Sequence, residues 1–195
     1  MLKVNEIFYS LQGEGFYAGR AAIFIRLSGC NLNCHFCDTK FGKYNNMTEL
    51  EITKEVKQLS KECKFIIITG GEPTIQKIDT LIELLHKDGY YVAMESNGTK
   101  EPPSTIDWLT ISPKYEYLGD FAKPVVKSCN ELKIIYDGRV DINDYGINAE
   151  HYYIQPCDVQ DEKTNKKIIE DCIDIIKENP KWKLSLQTQK ILKIQ

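Results

Sequence analysis

Short apolar runs followed by polar, glycine-containing loops recur along the chain. The run FIIIT at residues 65–69 is apolar up to its last residue, which is typical of a parallel strand covered on both faces. Seven strands of this kind are predicted: Ala22–Leu27, Phe65–Thr69, Tyr91–Glu95, Trp108–Ser112, Leu132–Ile135, Tyr152–Gln155 and Lys183–Leu186. The repeated pattern therefore predicts a sheet that is mainly parallel.

Three segments have the pattern of a helix. One follows Thr48, because the spacing Thr48-x-x-Glu51 predicts a capping box. A second runs from about Ile75 to Asp88 and a third covers about Asn165–Glu178, ending before Pro180. Three helices are too few for a complete eight-fold barrel. The sequence therefore predicts an α/β fold, an open, partial TIM-like barrel of about six parallel strands with about three main helices.

Composition and charge exclude several classes of protein. With 195 residues, 42% of them hydrophobic and 27% charged, the chain is expected to form one domain over residues 1–195. Its net charge of −3 gives no sign of the basic clusters of a nucleic-acid binder. No apolar run approaches the roughly 18 residues that span a bilayer, and the N-terminal residues lack the apolar block of a secretory signal. We expect a cytoplasmic protein without nucleic-acid or membrane partners.

The residues most unusual for a strand-and-helix framework come directly after predicted strands. Ligands of parallel sheets bind at the carboxyl ends of the strands. Five loops are predicted to meet there: GCNLNCHFCDT, GGEP, SNGT, SPK and QPCD. Their convergence at one edge of the sheet predicts an active site.

Three of the seven cysteines lie within eight residues, in the pattern Cys30-x3-Cys34-x2-Cys37. Clustered thiolates bind iron–sulfur clusters or zinc. Three ligands on a four-iron cluster leave one iron open to another molecule. The odd number of cysteines argues against a closed disulfide framework. A zinc site completed by His35 or Cys63 remains the alternative to a [4Fe–4S] cluster.

The cysteine pattern, with Phe36 before its last cysteine and Gly70-Gly71-Glu72-Pro73 after a strand, resembles the radical S-adenosylmethionine (SAM) enzymes. The resemblance implies a radical SAM core with a [4Fe–4S] cluster on Cys30, Cys34 and Cys37. It also implies SAM bound to the open iron and a flavodoxin or ferredoxin as electron donor.

A narrower resemblance rests on motifs spread from residue 6 to the last predicted strand. LQGEG, the run FIRL, CDT, SPK, QP and SLQT together resemble the 7-carboxy-7-deazaguanine synthase family of queuosine biosynthesis. The resemblance implies a carbon–nitrogen lyase that contracts 6-carboxy-5,6,7,8-tetrahydropterin to 7-carboxy-7-deazaguanine with loss of ammonia. The 5′-deoxyadenosyl radical would take the hydrogen at C6 of the substrate. After the rearrangement a hydrogen would return from 5′-deoxyadenosine, and SAM would thereby be regenerated. The family tends to form homodimers.

The same resemblance implies roles for individual residues. The implied SAM contacts are Phe36, Asp38, Gly71, Ser96, Ser112, Lys114, Gln155 and Asp158. The implied substrate contacts are Gln12, Gly13, Glu14, Arg26, Thr69, Gln189 and Gln195. Arg26, which would pair with the substrate carboxylate, and Glu14 are the implied catalytic residues. Thr39 resembles the family's Mg²⁺ ligand, and Gln189 stands where the family often has histidine.

Simpler interpretations stay open for several of these residues. Arg26 fits an ordinary ion pair on a strand, Thr39 a turn, and Lys114 and Asp158 surface charges. Two other functions also fit the cysteine pattern: a glycyl-radical-enzyme activating enzyme, and a non-catalytic iron–sulfur or zinc protein. Neither of these explains LQGEG, Arg26 and the SPK, QP and SLQT motifs together.

Overall fold

The computed structural model describes residues 1–39 and 43–195 of the chain. In these ranges nine strands form one sheet in the order β3-β1-β2-β4-β5-β6-β7-β8-β9. Their bounds are β1 Leu2–Leu11, β2 Ala21–Leu27, β3 Asn45–Met47, β4 Phe65–Gly70, β5 Tyr91–Ser96, β6 Trp108–Ile111, β7 Ser128–Tyr136, β8 Asn148–Pro156 and β9 Trp182–Leu184. The neighbours from β2 to β9 are parallel, whereas β1 is antiparallel to both β2 and β3.

The prediction of an open, mostly parallel sheet is confirmed, with two differences in the described ranges. Seven strands are parallel where about six were expected, and two antiparallel strands were not predicted. β1 alternates buried and partly exposed residues, so it lacks the continuous apolar run that marks the parallel strands. β3 has only three residues, two of them asparagines. Neither strand has the apolar pattern on which the prediction depended.

The three predicted helices are present, with some shifted ends, and two short helices that were not predicted are also present in the described ranges. Their bounds are α1 Glu49–Leu59, α2 Asp79–Lys87, α3 Tyr115–Leu118, α4 Glu162–Glu178 and α5 Thr188–Leu192. The predicted helices are α1, α2 and α4, and the two short ones are α3 and α5. The capping box before α1 is present, since the backbone N–H of Thr48 donates to Glu51 and that of Glu51 donates to the Thr48 hydroxyl. The predicted second helix begins about four residues later than expected from the sequence. Residues Pro73–Ile75 form a separate 3₁₀ turn, and α2 begins at Asp79.

The apolar core lies around the central parallel strands. Ile66, Ile67 and Ile68 of β4 are each at most 1% exposed although neighbours on a strand point to opposite faces. β4 is therefore covered on both faces, as its sequence predicted. No helix in the described parts of the chain has the length and apolar character needed to cross a membrane.

Candidate active site

A cavity of about 1080 Å³ is lined by the loops at the carboxyl ends of the parallel strands and by the inner face of the sheet. It contains every residue predicted to bind a ligand: Gln12, Gly13, Glu14, Arg26, Cys30, Cys34, Phe36, Cys37, Asp38, Thr39, Thr69, Gly71, Ser96, Ser112, Lys114, Gln155, Asp158, Gln189 and Gln195. The structure brings these positions together. The role of each one stays a prediction.

The three clustered cysteines follow β2 on one loop. A turn in which the N–H of Cys37 donates to the carbonyl of Cys34 at 3.1 Å folds this loop. Cys30 and Cys34 are partly buried and Cys37 is exposed, and all three are free thiols that line the cavity. Burial raises the pKa of the Cys30 and Cys34 thiols.

The arrangement of the thiols fits a cluster better than a single ion. Within residues 1–39 and 43–195, no group of three or more His, Cys, Asp or Glu side chains could hold one metal ion. A four-iron cluster places each thiolate on a different iron, so its ligands surround the cluster and do not meet at one point. Cys30, Cys34 and Cys37 all line the cavity, as binding such a cluster requires.

The side chains of His35 and Cys63, the two residues considered as a fourth zinc ligand, contact groups other than the three clustered thiols. His35 makes edge contacts with the rings of Phe36 and Tyr117, and its Nε2 atom lies 3.4 Å from Arg139. Cys63 precedes β4 and therefore lies at the amino ends of the parallel strands, opposite the loop. Its buried thiol donates to backbone carbonyls at that end. The cysteine loop thus provides three thiols, and among the described residues the buried thiol of Cys157, after β8, also lines the cavity.

The Gly70–Gly71 pair packs directly against the strand that leads to the cysteine loop. A Cβ atom at Gly70 would overlap the backbone of Leu27, and one at Gly71 would overlap the carbonyl of Gly29. The N–H of Gly71 donates to Leu27 at 3.1 Å. Gly70 also has a φ of 132°, in a region that side chains disfavour. Glycine is required here for the two loops to approach each other.

Glu72, which follows these glycines, joins them to the loop after β5. Its side chain is fully buried and accepts hydrogen bonds from the Ser96 hydroxyl at 2.9 Å and from the N–H of Asn97 at 2.7 Å. The N–H and hydroxyl of Thr74 also donate to it. A buried carboxylate with four donors fixes the relative position of two loops that line the cavity.

Two groups of polar residues line the cavity near the cysteine loop. The ammonium of Lys190 lies 3.4 Å from Asp38 and 3.2 Å from Asp158, so it connects two predicted SAM contacts. The ammonium of Lys114 donates to the carbonyl and hydroxyl of Ser112. Burial lowers the pKa of Lys114 to about 8.

The carboxylate of Glu14 is held by three donors from distant parts of the chain. Gln187 and Gln189 donate to Oε1 at 3.0 and 2.8 Å, and the ammonium of Lys133 bonds to Oε2. Burial alone would raise the pKa of Glu14, but the charge of Lys133 and these hydrogen bonds lower it to about 2. Glu14 is therefore a buried anion that is already paired within the protein.

Lys133 and Glu131 were not predicted as site residues. Both lie on β7 with their side chains on one face, and they are 5% and 3% exposed. Burial would lower the pKa of Lys133, but Glu14, Glu95 and Glu131 raise it. Two charged residues at i and i+2 in a predicted strand signal a polar inner face. The predicted strand began at Leu132, so Glu131 was left outside it and the pair was missed.

A hydrogen-bonded group joins β4, β5 and the β1–β2 loop at the inner face of the sheet. Glu95 of β5 accepts from the amide of Gln12 at 3.0 Å and from the hydroxyl of Thr69 at 2.8 Å. In the strand register, Thr110 of β6 lies beside Glu95, and Glu131 of β7 lies beside Thr110. Glu95 was not predicted either. Its position beside two predicted substrate contacts places a carboxylate in the same part of the cavity.

Arg26 lines the cavity and also forms the ion pair that was its simpler interpretation. Its Nε atom donates to Glu6 at 2.7 Å. The guanidinium carbon lies 5.6 Å from the centre of the Phe8 ring. The ion pair is therefore present, and the substrate-binding role of Arg26, which lines the cavity, stays a prediction.

A family model, curated relatives and a solved structure all show similarity to this chain over much of its length. The family model for the radical SAM superfamily matches residues 24–110. A 7-carboxy-7-deazaguanine synthase of Bacteroides thetaiotaomicron is 44% identical over 196 residues, covering all of both chains. The enzyme of that name from Haemophilus influenzae is 39% identical and covers 98% of this chain and 93% of its own. The crystal structure of QueE from Escherichia coli superposes with a TM-score of 0.71 at 28% identity, covering 95% of this chain and 93% of that one.

Proposed function

The chain belongs to the 7-carboxy-7-deazaguanine synthase family of the radical SAM superfamily, and on this basis we propose the reaction that it catalyses. The substrate is 6-carboxy-5,6,7,8-tetrahydropterin and the product is 7-carboxy-7-deazaguanine, with release of ammonia, in the synthesis of the queuosine precursor. Residues 1–195 act as one domain, and their reaction is that of a carbon–nitrogen lyase.

One observation carries this proposal. The cavity that contains the three free thiols of the cysteine loop also contains Arg26 and the polar residues around Glu14 and Glu95. A cluster-binding loop alone would fit many radical enzymes. A guanidinium and a set of buried donors and acceptors in the same cavity fit a small, polar, carboxylated ring.

The cofactor-binding residues lie at the carboxyl ends of the strands. Cys30, Cys34 and Cys37 would hold the [4Fe–4S] cluster, and the closely packed Gly71 exposes backbone beside them. When bound, the cluster and SAM together supply the radical that starts the reaction. The chain itself positions the two ligands and excludes water from the space between them.

The substrate-binding residues lie on the inner face of the sheet. Arg26 binds the substrate carboxylate, since a planar guanidinium matches a carboxylate. Gln12, Gly13, Glu14 and Thr69 contact the pterin ring, with Gln189 and Gln195 from the C-terminal segment. Glu14 accepts hydrogen bonds from Lys133, Gln187 and Gln189, so it also holds Gln189 in place beside the ring.

Mg²⁺ belongs to the proposal as a third cofactor. Thr39 follows the cysteines and lines the cavity, so one protein oxygen is available there. Mg²⁺ keeps several waters and is often bound by few protein ligands together with substrate oxygens. Thr39 and the substrate carboxylate fit this chemistry.

The further partners proposed are a flavodoxin or ferredoxin as electron donor and a second copy of the chain, in the cytoplasm.

Anaerobic turnover tests the proposal. We expect reconstituted protein with SAM, Mg²⁺, reductant and 6-carboxytetrahydropterin to form 7-carboxy-7-deazaguanine and ammonia in equal amounts. Cys34→Ala should lose the cluster chromophore and all product. Cys63→Ala is the matched control, because its thiol lies at the opposite end of the strands, and it should keep both. Absence of product from intact, cluster-containing protein would refute the proposed reaction.

A further inference from the structure

Glu6 and Arg26 are direct partners across the antiparallel strands β1 and β2. One oxygen of Glu6 accepts from Nε of Arg26 at 2.7 Å. Both side chains line the cavity, and they are 36% and 25% exposed. An exposed ion pair of this kind contributes little to stability. Because the pair lies inside the cavity, its role concerns the binding of a ligand and not the stability of the fold.

Two further contacts restrain this ion pair. The other oxygen of Glu6 accepts from the side-chain amide of Gln195 at 2.8 Å. On the other side, the guanidinium of Arg26 lies over Phe8, whose ring stacks on Phe24 at 4.8 Å. The carboxylate is thus held through both oxygens, and the guanidinium is held by an ion pair and a ring.

The atom used in the ion pair determines what remains for a ligand. A guanidinium has five N–H donors, one on Nε and two on each terminal nitrogen. Glu6 bonds to Nε. The two terminal nitrogens, which form the planar fork that binds a carboxylate with two hydrogen bonds, are left for the substrate.

We propose that Glu6 is a positioning residue that holds Arg26 through Nε and so presents the two terminal nitrogens to the substrate carboxylate. This inference rests on the proposed function, because it requires Arg26 to bind that carboxylate. Glu6 acts through Arg26 and does not itself touch the substrate. Gln195 and Phe8 keep the pair in one orientation.

The opposite role would be competition, in which Glu6 occupies Arg26 until the substrate carboxylate displaces it. The two roles predict effects of opposite sign. If Glu6 orients Arg26, removing it weakens binding of the carboxylate. If Glu6 competes, removing it strengthens that binding.

Two ligands isolate the carboxylate from the rest of the ring. The oxidised compound 6-carboxypterin keeps the ring and the carboxylate, and pterin lacks the carboxylate. Their affinities can be measured by anaerobic calorimetry on the cluster-containing protein with SAM and Mg²⁺. The proteins compared are the unmodified chain, Glu6→Ala, Glu6→Gln and the control Asp171→Ala, which removes an exposed ion pair of 2.7 Å on α4.

We expect Glu6→Ala to bind 6-carboxypterin roughly five- to tenfold more weakly, a loss on the scale of one oriented hydrogen bond, and to bind pterin unchanged. Glu6→Gln can still accept from Nε and should lie between Glu6→Ala and the unmodified chain. Because Gln is nearly isosteric with Glu, this second variant tests the inference even if Glu6→Ala folds poorly. Asp171→Ala should match the unmodified chain for both ligands.

Other outcomes would overturn the inference. Equal losses for the two ligands, no loss for either, or tighter binding of 6-carboxypterin by Glu6→Ala would each exclude an orienting role. Failure of the proposed function would give a different result, seen in the unmodified chain itself. There the unmodified chain would bind 6-carboxypterin no better than pterin, which would remove the carboxylate-binding role of Arg26 and this inference with it.

Discussion

At the scale of single residues, the inner part of the cavity is a set of buried charges with unequal environments. Glu14 has its pKa lowered to about 2, since a lysine and two amides outweigh the effect of burial. Glu131 has its pKa raised to about 6, because burial outweighs the nearby charge of Lys133 and a hydrogen bond from the N–H of Phe16. Two glutamates a short distance apart therefore affect stability in opposite directions as the pH changes.

Glu131 gives a prediction about pH. Its folded pKa of about 6 lies above the ordinary value of 4.5, so the folded state binds the proton more tightly. The stabilisation is fully present below pH 4.5 and is lost as the pH rises through about 6, a difference of about 2 kcal/mol. The charged neighbours of Glu131 are Lys133, Glu95 and Glu14, and His151 of β8 lies beside it in the strand register.

Anaerobic urea unfolding of the unmodified chain and of Glu131→Gln between pH 4.5 and 7 measures this effect. Glutamine keeps an acceptor for the Phe16 N–H but does not titrate. Relative to the variant, the unmodified chain should lose about 2 kcal/mol of unfolding free energy over this range. Parallel pH profiles for the two proteins would show that Glu131 titrates normally in the fold.

At the scale of elements, the ion pair between Glu14 and Lys133 joins the β1–β2 loop to strand β7. Lys133→Met leaves the Glu14 carboxylate buried without its cation and should lower the free energy of unfolding by about 3–5 kcal/mol. The double variant Glu14→Gln, Lys133→Met should recover most of this loss. Lys167→Met removes an exposed ion pair on α4 and should cost less than about 1 kcal/mol. Equal effects of Lys133→Met and Lys167→Met in urea unfolding would contradict this account.

The elements also show how far the sequence predicts the fold. The continuous apolar run of β4 and the Thr48 capping box act locally, so both were predicted and both are present. β1 was missed because the prediction depended on continuous apolar runs, whereas β1 mixes buried and exposed residues. The late start of the second helix and the separate turn before it were missed as well. They arise from Glu72, whose carboxylate caps the Pro73–Ile75 turn while it bonds to Ser96 and Asn97, and that contact is not visible in a linear pattern.

The same distinction applies to the site. Its cysteines and glycines form short motifs that can be identified in the sequence, and they line the cavity as predicted. Lys133, Glu95 and Glu6 follow no motif. They become visible as site residues only when the strand register places them beside Glu14, Thr69 and Arg26 respectively. Single charged residues in strands have many structural explanations, so sequence alone could not select these three.

At the scale of the whole molecule, one cavity contains the thiols predicted to bind the cluster, the predicted SAM contacts and the predicted substrate contacts. Loops at the carboxyl ends of the strands supply the first two groups. The inner face of the sheet, the β1–β2 loop and the C-terminal segment supply the third. This arrangement predicts that the radical formed from SAM reaches C6 of the pterin directly, without leaving the cavity.

Isotope transfer tests this central claim most directly. The reconstituted protein is incubated anaerobically with SAM, reductant, Mg²⁺ and 6-carboxytetrahydropterin that carries deuterium at C6, and the recovered SAM is examined by mass spectrometry. The account predicts that deuterium from the substrate appears in the 5′-deoxyadenosyl group of SAM while the deazaguanine product accumulates over many turnovers per SAM. Product formation with no deuterium in SAM or in 5′-deoxyadenosine would contradict it.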